Sequence, residues 1–168
     1  MEEVITATFE THYDTRSSEV FRFALLKVSD RSLAEDITSE TFLRFWQRYK
    51  DGHGLDNPRA MLYSIAYGII VDQYRQKDTH KEVPLDSVDV SLFSYDERFA
   101  EKLDEKEELG DILKRIRSLR DDYRDLIMMH YVQDLSICEI AEILEKQENA
   151  VPAQLHEALN ALRTTMTL

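Results

Sequence analysis

Cysteine occurs once in 168 residues, at Cys138. No intramolecular disulfide can form, which fits a reducing compartment and an expected place in the cytoplasm. Set between Ile137 and Ile140, that thiol is expected to be a small buried apolar group. Four glycines and three prolines leave few helix breakers, so long helices with short connections are expected. Sustained period-two alternation is missing outside a doubtful patch near 87–95, and strands are not expected. No apolar run approaches the roughly 20 residues a bilayer span needs, and the acidic start MEEVITATFE has no apolar stretch of the kind a signal peptide carries. Catalytic signatures are missing as well. The five histidines are scattered, without HExxH, CxxC or a glycine-rich phosphate loop. No enzyme activity, metal or cofactor is expected. Cations are the last scarcity: 21 Lys and Arg against 33 Asp and Glu give a net charge of −12. Such a chain as a whole repels nucleic acid and anionic membrane.

What remains is helical pattern, and charge divides it. Residues 1–77 carry 10 basic and 12 acidic groups, and 112–168 carry 7 and 9. The middle, 78–111, carries 4 and 12. The expected architecture is all-α: two small helical domains, 1–77 and 106–168, joined by an acidic linker over 78–105. Four helices are expected in the first domain. Glu3 to about Thr15 is weakly patterned, and Ser17 to Val28 has an apolar stripe from Val20 to Val28. Ser32 with Glu35 reads as a capping box opening a long helix to Lys50. Asn57-Pro58 then opens the fourth, with proline in its first turn.

The last stretch has the shape of a helix-turn-helix. Ser136 and Glu139 form another capping pair, followed by Ile137, Ile140, Ala141, Ile143 and Leu144 at helical spacing. A polar turn from Glu145 to Asn149 leads to a second helix carrying Val151, Leu155, Ala158, Leu159 and Leu162. Two short helices so joined place a recognition helix in a major groove. From Gln133 to Leu168, however, two basic side chains stand against six acidic ones, a balance that repels phosphate. Packing alone also accounts for such a pair of helices.

Three segments, taken together, resemble bacterial sigma factors. DRSLAEDITSETFLRFW (Asp30–Trp46) resembles their core-polymerase-binding segment, and NPRAMLYSIAYGIIVDQYRQK (Asn57–Lys77) their promoter-melting helix. Leu119 to Leu162 resembles their C-terminal domain, through Tyr123, Arg124, Tyr131, the SxxEIAEIL-like helix, Val151, Leu155, His156, Ala158 and Leu162. Order and length are similar to the extracytoplasmic-function class of the sigma-70 family. The resemblance implies a protein that binds core RNA polymerase and directs promoter recognition and transcription initiation. It implies docking on the clamp helices of the largest subunit through Glu35, Asp36, Ser39, Glu40, Phe42 and Trp46, a mixed acidic and aromatic surface suited to protein contact. It implies promoter DNA contacts by Lys50, Asn57, Arg59, Tyr63, Tyr67, Arg75 and Lys77, tyrosines to stack on bases and cations to meet phosphates. Upstream contacts fall to Gln154, His156 and Asn160, and an anti-sigma partner is implied, with the acidic linker threading a positively charged cleft.

The pattern is departed from twice. Tyr67-Gly68 stands where the family has an Arg-Asn-like pair, and Pro152, Gln154, Glu157 and Asn160 stand where Lys or Arg is common. The alternative reading is therefore a degenerate sigma-like protein that binds polymerase or a sigma regulator without reading the upstream element. A generic helical interaction domain is a third.

Overall fold

A computed structural model describes residues 1–53, 56–76 and 106–166. The acidic segment 78–105 and Lys77 lie outside the described residues. The described residues form helices joined by turns and belong to two compact units, one N-terminal and one C-terminal.

The N-terminal unit is three mutually packed helices, not four: α1 (Glu2–Val28), α2 (Arg31–Lys50) and α3 (Pro58–Gln76). No break separates Thr15 from Ser17. The Thr6, Thr8, Thr11 and Thr15 hydroxyls each donate to the carbonyl four residues back, at 2.9, 2.8, 3.0 and 2.7 Å. The threonine hydroxyls are thereby satisfied inside one 27-residue helix. It ends at Ser29, whose φ of 54° is left-handed and whose N–H bonds to Leu25 O at 2.8 Å. The cap of α2 differs from the expected Ser32–Glu35 box. Asp30 Oδ1 accepts from the Leu33 N–H at 3.0 Å, and Glu35 pairs with Arg31 at 3.3 Å. Asn57 caps α3 by accepting from the Ala60 N–H at 3.0 Å. The core draws Val20, Phe23 and Ala24 from α1, Ile37 and Phe45 from α2, and Leu62, Ala66 and Ile70 from α3, all buried.

The C-terminal unit holds α4 (Lys106–Ser118), α5 (Asp121–Ile127), a π-helical turn (Met128–Val132), α6 (Ile137–Ile143) and α7 (Ala150–Met166). Arg124 ties the end of α4 down, donating to Arg117 O at 2.7 Å and Leu119 O at 3.1 Å. Arg115 reaches from α4 to the Thr165 carbonyl of α7. The π turn presses Met128 and Met129 into a core with Leu126, Leu135, Ile140, Val151, Leu155 and Ala158. Ser136 and Glu139 form the expected reciprocal box at 3.1 and 2.9 Å. After α6, Glu145 takes φ 54°, and the Lys146 N–H bonds back to Ala141 O at 2.9 Å while the Glu145 N–H bonds to Glu142 O at 3.3 Å. This left-handed turn sets the angle between the two helices. Pro152 is the third residue of α7, inside the first turn where no helical N–H is missed. Cys138 is exposed, contrary to the burial expected of it, because α6 turns Ile140, Ala141 and Ile143 inward instead.

Candidate functional site

Three surfaces carry the residues singled out above. On α2, Ala34, Ile37, Thr41, Phe42, Phe45 and Tyr49 are buried, so the helix turns one full face inward. Phe42 belongs to that inner face. It is 3 % exposed, with Phe9 and Tyr13 of α1 edge-on to it at 6.4 and 4.9 Å. Its expected role as an exposed anchor is corrected: α1 covers it. Trp46 is half-buried, 4.9 Å from the Phe9 ring, and with Lys50 lines a groove shared with Ile5, Thr6 and Glu10. Glu35, Asp36 and Ser39 are exposed, and Glu40 is half-buried and held by Arg44 at 2.7 Å. At the centre of the outward face stands Leu43, 53 % exposed. Its neighbours three and four residues away are Ser39, Glu40, Trp46 and Gln47. Among the described residues Leu43 is one of few large exposed apolar side chains. The candidate residues named from sequence omitted it, although it falls opposite the buried stripe in the α2 pattern.

On α3 the tyrosines separate. Tyr63 is 1 % exposed, edge-on to Phe23 at 5.2 Å, and burial pushes its phenol far above the ordinary range, with Glu19 adding to the rise. It cannot stack on a base from there, and that expectation is withdrawn. Arg59 lies 5.7 Å over its ring and 3.9 Å from Glu19, so this cation is part of the α1–α3 contact. Tyr74 donates its hydroxyl to the Lys27 carbonyl and anchors the end of α3 to α1. The outward stripe is instead Ser64, Tyr67, Gly68, Val71 and Arg75, with Tyr67 and Val71 half-buried and the others exposed. A Cβ built on Gly68 would meet nothing within 4 Å. Lys50 and Asn57 are exposed near the start of this helix, and the Asn57 side-chain oxygen is engaged in the cap.

On α7, Val151, Leu155 and Ala158 face the core, and Ala153, His156, Glu157 and Asn160 face solvent together. Gln154 lies off that face, half-buried, its Oε1 accepting from Lys146 Nζ at 2.5 Å. The lysine of the turn thus holds the glutamine expected to read a base. Tyr123 of α5 donates its hydroxyl to Glu157 Oε2 at 3.3 Å. Arg120 sits 4.1 Å over the Tyr123 ring and grips Asp122 at 2.6 and 3.1 Å. That grip holds the Asp122 carboxyl below the usual range.

Comparison with known proteins agrees with the architecture. The family model for Sigma-70 region 2 matches residues 9–80, and that for Sigma-70 region 4 matches residues 109–162. The ECF RNA polymerase sigma factor SigX of Bacillus subtilis is 27% identical over 166 residues, covering 96% of this chain and 84% of that one. The ECF RNA polymerase sigma factor SigL of Mycobacterium tuberculosis is 29% identical over 161 residues, covering 92% and 86%. The chain is a sigma factor of the extracytoplasmic-function class. Its fold also matches the sigma factor RpoE of Bartonella quintana, solved with the anti-sigma factor NepR, at a TM-score of 0.71 and 16% identity, covering 96% of this chain and 98% of that one.

As a sigma factor it supplies RNA polymerase with promoter recognition at transcription initiation, and it is not an enzyme. Both family regions are present, and nothing observed favours the degenerate reading. Among the described residues no helix is long and apolar enough to cross a membrane.

Proposed function

We propose that this sigma factor docks on core RNA polymerase through the outward face of α2. Leu43 is the apolar centre of that face, with Glu35, Asp36, Ser39, Glu40 and Trp46 around it. One observation carries this: an exposed leucine ringed by polar residues, on a helix whose opposite face is fully used by its own core. An apolar centre with a charged rim is the anatomy of a protein interface. Promoter DNA then meets the α3 stripe through Tyr67 and Arg75, meets Lys50 at the end of α2, and meets α7 through His156 and Asn160. Arg59 contributes by holding α1 against α3. Action in the cytoplasm, where polymerase works, belongs to the same reading, and so does an anti-sigma partner of the kind bound to the Bartonella factor.

The test is binding to core polymerase by pull-down and titration, followed by transcription from a promoter library. Leu43→Asp, at an exposed site, leaves the helical spectrum unchanged and weakens core binding by about 30-fold or more, the scale of an interface hot spot. Phe42→Ala destabilises the N-terminal unit by about 3 kcal/mol or more, as expected of an emptied aromatic site. Full core affinity in Leu43→Asp would rule out this docking face.

A further inference from the structure

We infer that Glu157 is a base-reading residue of α7 that selects cytosine in the upstream promoter element. The inference rests on the reading of α7 as the promoter-facing helix. Glu157 shares the solvent face of α7 with Ala153, four residues before it, and Asn160, three after it. A carboxylate there gains nothing from phosphate, which it repels. What it does well is accept a hydrogen bond from an exocyclic amino group.

The major groove offers two such groups, cytosine N4 and adenine N6. Adenine places its N7 acceptor beside the amino group, against the second carboxylate oxygen. Cytosine places only a C–H there. Guanine and thymine present oxygen acceptors and are repelled outright.

The surroundings hold the carboxylate for this task. The Tyr123 hydroxyl donates to Glu157 Oε2 at 3.3 Å and orients the group. The Arg120 guanidinium, 4.1 Å over the Tyr123 ring, draws density from the phenol and makes its hydroxyl a better donor. Asp122 holds Arg120 in that position. Gln154, a half-buried amide on the same helix, has its side-chain oxygen engaged by Lys146.

The experiment selects upstream elements from a randomised promoter library with holoenzyme, reconstituted from core polymerase and the full chain. Wild type enriches cytosine at one position. Glu157→Ala loses that preference, on the order of tenfold, at that position alone. The isosteric Glu157→Gln moves the preference to adenine, with which an amide pairs through N6 and N7. Tyr123→Phe blunts the cytosine preference without moving it.

Unchanged base preference in Glu157→Ala, or an equal rise in affinity for every sequence, overturns the assignment and leaves the reading of α7 intact. Absence of any upstream selection by wild type, with promoter opening preserved, overturns both.

Discussion

At the residue scale, adjacent positions have opposite duties, and periodicity alone does not separate them. Phe42 and Leu43 differ by one step of 100° around α2, yet one is 3 % and the other 53 % exposed. What decides is α1, whose Phe9 and Tyr13 close over Phe42. A long-range contact of that kind is invisible in a helical repeat. Tyr63 is likewise buried by a long-range contact, edge-on to Phe23 of α1, while Tyr67, four residues on, is half-buried. His12 gives this scale its measurement. It is half-buried against the rings of Phe45 and Tyr49, at 6.0 and 5.8 Å, and burial, followed by the Arg16 charge, lowers its pKa from 6.5. The unfolded chain therefore binds the proton more readily, so the stability His12 lends is complete above 6.5 and is lost as pH falls through the lower folded value. His12→Phe does not titrate. Its urea midpoint relative to wild type should improve when pH is lowered from about 7.5 to about 5.5, across the ordinary histidine range. A difference that does not move with pH would show that His12 titrates alike in both states.

At the scale of elements, local chemistry was legible where it is self-contained. The Ser136–Glu139 box and the Asn57 cap need only neighbouring residues, and both stand as the residue order indicates. Legibility failed where two local solutions compete. Asp30 and Ser32 can each cap α2, and the aspartate does. The helix end expected near Thr15 is absent, since the threonine hydroxyls turn back onto the helix and the weakly patterned stretch runs on. The π turn, in which Met128 and Met129 are both buried, is announced by no spacing rule. Gly68 is the element-scale oddity that remains. It sits in mid-helix on the open stripe of α3, and an added Cβ would touch nothing. Gly68→Ala should therefore stabilise the N-terminal unit by about 1 kcal/mol, the helix-propensity difference. Hydrogen exchange of the α3 amides would measure this, slowing about fivefold for that difference. If open-complex formation falls at the same time, the glycine serves a close approach of the DNA strand to the helix backbone beside Tyr67. If both stability and opening are unchanged, neither account of it holds.

At the scale of the molecule, the problem is how a chain of net charge −12 takes part in binding a polyanion. Most of the excess lies in 78–111, by composition, and residues 1–77 and 112–168 each carry a net charge of only −2. Several cations of the C-terminal unit are occupied structurally: Arg115 on α7, Arg124 on the end of α4, and Lys146 on Gln154. On α7 itself the one basic side chain is Arg163. Upstream contact by this unit should thus depend on base edges and little on counterion release. The charge of Glu157 makes that testable in salt. Glu157→Lys replaces a base-reading acceptor with a phosphate-seeking cation. Holoenzyme carrying it should bind all upstream sequences more tightly at low salt and discriminate among them less. Its plot of log affinity against log salt should steepen by about 0.9 for each phosphate newly neutralised. Equilibrium titration of wild-type and variant holoenzyme on one promoter, between about 50 and 200 mM salt, measures the difference. An unchanged slope would place residue 157 out of reach of the backbone, and discrimination retained at full strength would mean the bases are read by His156 and Asn160 alone.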